Sequence, residues 1–415
     1  MALGPGQAEA QLRGHGGPIR ALAISPDGAT ALSGSFDTSA IRWSLRRNTA
    51  EQVLRFHEGA VNAVAILADG RAATAGEDAR IALWTPGKQE PDGVLEGHQG
   101  PIVALAVSPD GATLASASWD RTIRLWPLAG GAPQVLEGHQ QNVNGVAFTP
   151  EGTAVVSAGY DAAVRIWPLN GRTAPRAVLL PTPLNAVVVA PDGDIIAAGA
   201  DGKVYFLTPS GDRRDTIQAA PRPITFLAIS HNGEFIAAAS MDGSIAIIDR
   251  RTRTVAHRLV GPGPPVWSVI FFPDNRTLLS GGADRVIRRW DSETAEPVGT
   301  VATGGSEDPL AAYAGDPGAQ VFRACIACHT LKPDEGNRAG PTLHRVFGRR
   351  IASLPGYNFS AALQHLDIVW TPETLAKLFE VGPATYTPGT KMPEQRIGAP
   401  SDRDALVKFL ERATK

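Results

Sequence analysis

Cysteine is nearly absent from this chain, two in 415 residues, so no disulfide framework can hold it together. An excess of either charge is also lacking. Thirty-nine Lys and Arg face 41 Asp and Glu, a formal net charge of −2, and only 19% of residues are charged. A nucleic-acid binder that relies on bulk positive charge is therefore excluded. No stretch approaches the roughly 18 apolar residues of a membrane-spanning helix. What the chain does have is glycine, 44 residues, and proline, 33, a composition of many tight turns and few long helices. Its length allows about two to three domains.

Most of the chain is a repeat. Trp43, Trp84, Trp126, Trp167 and Trp290, with Leu207 and Ile248 in the same slot, recur every 40 to 42 residues. Six residues before each stands an aspartate: Asp37, Asp78, Asp120, Asp161, Asp201, Asp242 and Asp284. A turn cluster precedes each aspartate, as in Pro26-Asp27-Gly28 and Pro109-Asp110-Gly111. Short apolar runs lie between the turns, such as 102–107, 113–117 and 123–126, and read as strands. Four short strands in about 41 residues make one blade of a radial sheet structure.

On these residues, about 10 to 300, the chain resembles the WD-repeat family of β-propellers. The first four copies carry that family's Gly-His or its relic at His15, His57, His98 and His139. The resemblance implies that the His, a strand Ser or Thr, the turn Asp and the Trp hydrogen-bond within a blade. Copies five to seven lack the His, and weaker networks are expected there. The ring must close to hide its strand edges. The expected closing strand is 10–13, with 298–301 as a competitor. The resemblance also places the residue before each turn Asp on one end of the ring, where partners often bind: Phe36, Trp119, Tyr160 and Met241 among them. Arg20 and Trp267 start innermost strands around the central opening. These six are the candidate docking residues, as an aromatic-rich anchor set.

Residues 301–315 break the period and read as a linker. Beyond them the pattern turns helical, with start signals at Asp316-Pro317 and Thr371-Pro372-Glu373 and a third helix over 402–413. Within this region lies Cys325-Ile326-Ala327-Cys328-His329. Two thiols three apart can add to the vinyl groups of a haem while the adjacent His reaches the iron. A zinc pair or a thiol redox pair are the alternatives. Zinc, however, wants a second ligand pair, and there is no other cysteine.

Over residues 315–415 the chain resembles the class I cytochromes c of the mitochondrial and bacterial c2 type. Gly340-Pro341-Thr342-Leu343-His344, Phe347-Gly348-Arg349, Pro355-Gly356-Tyr357, Trp370-Thr371 and Pro388-Gly389-Thr390-Lys391-Met392 occur in that family's order. The expected architecture is thus an all-β seven-bladed propeller over residues 1–300, the linker, and a small all-α cytochrome c domain over 316–415. The resemblance implies one covalent haem c on Cys325 and Cys328, with His329 and Met392 as axial ligands. Around it, Pro341, Arg349, Tyr357, Trp370 and Thr390 are the matching supporting residues, the Pro341 carbonyl accepting the other ring N–H of His329. Gly318 and Phe409 match a close crossing of first and last helices, and His344 and His365 read as surface residues. There are departures. Leu378 or Phe379 occupies the region of the family's buried tyrosine, and Phe359 stands where a propionate-binding tyrosine is common. Pro393 and Glu394 follow the methionine, and only Arg323, Lys391 and Arg396 remain of the lysine ring.

Two function classes follow. In the first, the cytochrome carries one electron while the propeller docks a redox partner protein (an oxidase, reductase or dehydrogenase) or scaffolds a complex. In the second, the propeller holds a catalytic site and the cytochrome is its electron port, a plan like that of the nitrite reductases that join haem c to a propeller. The residues favour the electron carrier, because every patterned propeller histidine belongs to a blade. Haem attachment to such a motif takes place outside the bacterial cytoplasm, as the family implies, so the expected location is the periplasm. Met1-Ala2-Leu3-Gly4 shows neither basic region nor apolar core, and the expectation is a leader absent from the numbered chain. The C-terminal hundred residues carry 13 Lys/Arg against 10 Asp/Glu (+3), and the rest 26 against 31 (−5). Fields this weak are screened within about 8 Å at physiological salt, and no fixed dock between the halves is expected.

Overall fold

A computed structural model describes residues 11–260, 265–298, 310–323, 325–326, 329–332, 340–355, 357, 359–390, 392 and 395–415. Seven four-stranded antiparallel sheets come first, each with its strands in chain order except the last. The first runs Ile19–Ile24, Thr30–Ser35, Ser39–Ser44, Thr49–Arg55, and the second Val61–Ile66, Ala72–Gly76, Ile81–Trp84, Gly93–Leu95. The innermost strands of the next five start at Ile102, Val143, Leu184, Ile224 and Val266. Apolar residues of adjacent sheets interlock: Leu32 and Ala40 of the first share a cluster with Val61, Ala82 and Trp84 of the second. The molecule is thus a seven-bladed β-propeller followed by a small helical region.

The recurrent aspartate has a local reason. In each blade its Oδ1 accepts the N–H two residues on, from Ser39 at 3.0 Å in the first to Val286 at 3.3 Å in the seventh. That bond pins the residue between them at positive φ: Thr38, Ala79, Arg121, Ala162 and Arg285, with glycine at 202 and 243. Few side chains tolerate this conformation without such a bond.

In the first four blades the rest of the network is present. Trp43 Nε1–H donates to Ser33 Oγ at 2.8 Å, His15 Nε2 meets the same Oγ at 2.7 Å, and His15 Nδ1 meets Asp37 at 3.0 Å. In copies five and seven another donor meets the aspartate, the Tyr205 hydroxyl donating to Asp201 at 2.5 Å and the Arg288 guanidinium to Asp284. In copy six Ser244 Oγ–H bonds Asp242 at 2.7 Å, just as Ser39 bonds Asp37 beside the histidine of copy one.

Ring closure is shared. The strand Gln11–Arg13 pairs with Arg288, Ile287 and Val286 of the seventh blade. Further along the same edge Pro297 bridges Trp290 and Val298 N–H donates to Arg289 O at 3.0 Å. The N-terminal strand closes the sheet, and 297–298 cover the part it leaves.

The helices are α1 (Pro317–Phe322), α2 (Ala361–Gln364), α3 (Pro372–Val381), α4 (Pro383–Tyr386) and α5 (Pro400–Ala413). α5 starts two residues before its sequence-level signal, because Pro400 suits the first turn, where an N–H is surplus. α2 and α4 are single turns too short to show a period. α1 and α5 cross closely: a Cβ on Gly318 would come within 2.0 Å of the Ala405 carbonyl and 2.5 Å of Phe409 Cβ. The 301–315 linker lies outside the described residues up to 309.

Candidate functional site

The helical region is built around a cavity of about 160 Å³. Asp316 caps α1, accepting from Gly318 N–H at 2.8 Å, and Arg412 of α5 ties down the same carboxylate. After α1 ends at Phe322, Cys325 N–H bonds to Phe322 O at 2.8 Å and His329 N–H to Cys325 O at 3.0 Å. This turn brings buried Cys325 and His329 to one cavity wall. Cys328 lies outside the described residues.

His329 Nδ1 is 2.7 Å from the Pro341 carbonyl. A carbonyl oxygen only accepts, so Nδ1 carries the proton and the ring lone pair lies on Nε2, the tautomer that binds a metal. Met392 lines the same cavity. Its N–H bonds to Thr390 Oγ1 at 3.1 Å, at the end of a turn in which Thr390 N–H returns to Thr387 O and Gly389 takes φ 79°. Ser360 Oγ–H, at the start of α2, holds Gly389 O at 2.7 Å.

Arg349 and Trp370 face each other through paired backbones, Trp370 N–H to Arg349 O at 3.0 Å. The Arg349 guanidinium reaches Thr342 O at 2.8 Å and His344 O at 3.4 Å. Burial pushes its pKa below the ordinary value. It is a half-buried cation met only by carbonyls among the described residues, so a carboxylate guest suits it. Tyr357 stands edge-on to Phe359, with centroids 4.7 Å apart. Much of the remaining wall is apolar, with Phe322, Leu375, Leu378, Phe379, Leu406 and Leu410. Leu378 and Phe379 both line the cavity. His344 and His365 are not in the lining.

The described residues thus combine an apolar cavity, a pre-oriented imidazole, a thioether, a buried thiol and arginines, with no Asp or Glu in the lining. That set suits an apolar macrocycle bearing carboxylates and a central iron. When bound, such a group would supply one-electron redox chemistry, and His329 and Met392 are the residues that would hold its iron. The chain's own part is to fix the imidazole tautomer, exclude water with the apolar walls and compensate buried charge.

On the propeller, each residue before the turn Asp donates its N–H across the blade in the same way, Phe36 to Pro18 O at 3.0 Å and Trp119 to Pro101 O at 2.9 Å for example. Phe36, Trp119, Tyr160 and Met241 are all exposed. Phe36 stacks on Trp267, with centroids 5.0 Å apart, and Trp119 Nε1–H bonds Asn144 Oδ1 at 3.1 Å. Every innermost strand has a register shift around its second residue, flanking Arg20, Asn62, Val103, Asn144, Asn185, Thr225 and Trp267. Such a bulge re-aims a side chain. Asn144, Asn185 and Thr225 use it to bond carbonyls of the next blade, Leu184, Ile224 and Val266. Arg20 is half-buried, and desolvation lowers its pKa. Among the described residues no three His, Cys, Asp or Glu form a metal-binding group. Among the cavity residues that sequence reasoning missed, Val53, Arg55 and Gln89 come from the propeller. They carry no motif, and only tertiary packing brings them to the cavity.

Comparison with known proteins agrees with both halves. The family model described as WD domain, G-beta repeat matches residues 6–44, 48–85, 89–127, 131–168, 211–249 and 253–291. The stretch it skips holds most of the fifth blade, in which Tyr205 replaces the His network. The Cytochrome c model matches 315–414. Cytochrome c from Cochliobolus lunatus is 44% identical over 99 residues, 24% of this chain and 91% of that protein. Cytochrome c from Arabidopsis thaliana is 44% identical over 99 residues, 24% of this chain and 88% of that one. Cytochrome c type-1 from Ascaris suum is 35% identical over 99 residues, 24% of this chain and 87% of its own length. The cytochrome c domain implies a covalently bound haem c and suggests electron transfer, and the propeller suggests protein partners. No helix among the described residues is long and apolar enough to cross a membrane. The chain belongs to the WD-repeat family and, through its helical domain, to the cytochrome c family.

Proposed function

We propose that this protein is a periplasmic electron carrier with one haem c, held by thioether bonds to Cys325 and Cys328 and ligated by His329 and Met392. Pro341, Arg349, Tyr357, Trp370 and Thr390 support the group. The propeller docks a redox partner, an oxidase, reductase or dehydrogenase, through the exposed face of Phe36, Trp119, Tyr160 and Met241, with Arg20 and Trp267 beside it. A haem tethered near that partner gains effective concentration, up to the millimolar range for a short flexible linker.

The observation that carries the reading is the 2.7 Å bond from His329 Nδ1–H to Pro341 O, which puts the metal-binding lone pair on Nε2, together with Met392 in the lining of the same cavity as His329. The first test is a visible spectrum of oxidised and reduced protein with metal analysis of the same sample. One low-spin haem c per chain supports the reading. A second chromophore or metal moves the chemistry into the propeller. Capture of partners by Trp119→Ala and Trp267→Ala proteins tests the docking face, and undiminished capture sinks it. Periplasmic location is checked by fractionating cells that express the full gene.

A further inference from the structure

The haem cavity is not lined by the cytochrome domain alone. Val53 and Arg55, at the end of the first blade's outermost strand, and Gln89, between Ile81–Trp84 and Gly93–Leu95 of the second, form part of its wall. Among the described residues three arginines line it, Arg55, Arg349 and Arg350, and no Asp or Glu does. Arg350 is half committed elsewhere, to Asp367 at 3.7 Å on the surface. Arg55 is tied on its own side to the Asp37 carbonyl at 3.4 Å, which fixes the guanidinium at the blade edge. Gln89 Nε2 is buried without a hydrogen-bond partner among the described residues. Gln89 belongs to a propeller loop, yet it lines the same cavity as Arg55. A buried donor left unpaired is costly and rare in native proteins. An apolar group that brings carboxylates into this cavity repairs that cost and matches the surplus of guanidinium groups.

We propose that the propeller is part of the haem site: Arg55 and Gln89 hold the haem's propionate edge from across the domain boundary, so the first two blades set the reduction potential and the haem latches the two domains together. The proposal rests on the haem reading above. Its physical content is electrostatic. A cation near the haem disfavours the oxidised iron, which carries one more positive charge than the reduced iron, and it also favours the ionised form of a neighbouring propionate.

The test is a redox titration of the full-length, haem-loaded protein and its Arg55→Gln, Arg55→Lys, Gln89→Ala and Arg55→Gln/Gln89→Ala variants. Arg176→Gln, an exposed propeller arginine paired with Asp212, serves as control. Loss of Arg55 shifts the potential downward, leaving the haem about three- to tenfold more oxidised at the wild-type midpoint. The pH-dependent step in the potential moves to higher pH, and Arg55→Lys restores both. Gln89→Ala moves the same pH step with little change in charge, and it remains informative if Arg55 variants fail to fold. Wild-type potential and pH profile in both the Gln89 and the double variant overturn the proposal. A chain that takes up no haem overturns the haem reading as well, whereas a haem-loaded chain indifferent to these changes overturns this inference alone.

Discussion

Gly340 lies flat against the ring that Pro341 orients: a Cβ at Gly340 would fall 2.4 Å from His329 Cε1 and 2.8 Å from Nε2, while the next carbonyl holds Nδ1 at 2.7 Å. The imidazole is therefore clamped between a steric wall and a hydrogen-bond acceptor supplied by consecutive residues. Glycine is needed here for the close approach.

Gly340→Ala tests that clamp. The added methyl must push the ring off the Pro341 carbonyl or force the 340–343 segment outward, an overpacking cost of about 1–3 kcal/mol. The expected result is a weakened low-spin haem spectrum and a lower melting temperature of the helical domain. Unchanged visible spectra would show that the ring has room to move.

Tyr205→Phe removes the donor that stands in for the blade histidine in the fifth copy. Tyr205 is 1% exposed, so its ring stays buried while Asp201 loses a 2.5 Å bond. The expected loss of propeller stability is about 1.5–3 kcal/mol, the value of a hydrogen bond to a charged group. Urea unfolding followed by tryptophan fluorescence measures it. Burial and Asp201 also hold the Tyr205 phenol well above its ordinary value of 10.0. The neutral phenol is the folded form, so its contribution is present below pH 10 and is lost as pH rises toward the folded value.

Leu12→Ala probes closure of the ring. Leu12 is 4% exposed and packs with Ile19, Leu22, Ile41 and Ile287 across the seam of the first and last blades. A cost of about 2–5 kcal/mol is expected for a core Leu→Ala change. Because the strand Gln11–Arg13 also covers a sheet edge, loosening it exposes unpaired backbone, and size-exclusion chromatography should show self-association. A monomeric, fully stable variant would mean that residues 297–298 can close the sheet alone.

Acid sensitivity of the propeller follows from His139 and Asp161. Burial lowers the His139 pKa from 6.5, against the pull of Asp161. Burial works to raise Asp161, but bonds from Gln140 N–H and His139 win and hold it below 3.8. In both cases the unfolded chain binds the proton more readily, so the contribution is complete above the unfolded pKa and is lost as pH falls through the folded one. Melting temperature should fall in two limbs, one starting near pH 6.5 and one near 3.8. His139→Gln flattens the first. A wild-type melting temperature constant from pH 8 to 5 would contradict the assignment.

Much of this molecule was legible before any coordinates. The seven aspartates mark the blades because each carboxylate must accept a backbone N–H two residues away, a requirement local enough to recur at a fixed period. Residues 325–329 mark the proposed haem site for the same reason, since attachment through two thiols beside an imidazole needs that spacing. The substitutes for the blade histidine were not legible. Tyr205 and Arg288 reach their aspartates from four residues on, but a phenol or a guanidinium at such a position carries no signature of its own.

What the sequence by itself determined is therefore whatever a few neighbouring residues settle: turn geometry, strand period, helix starts and the attachment motif. Only the tertiary structure decided how the last sheet is closed, how closely Gly318 lets α5 approach, and which propeller residues face the haem cavity. Those outcomes depend on contacts between residues far apart in the chain. Val53, Arg55 and Gln89 meet the cytochrome cavity more than two hundred residues before its own lining begins at Phe322. No local pattern encodes such a meeting, because the energy that selects it arises only when both surfaces are already folded.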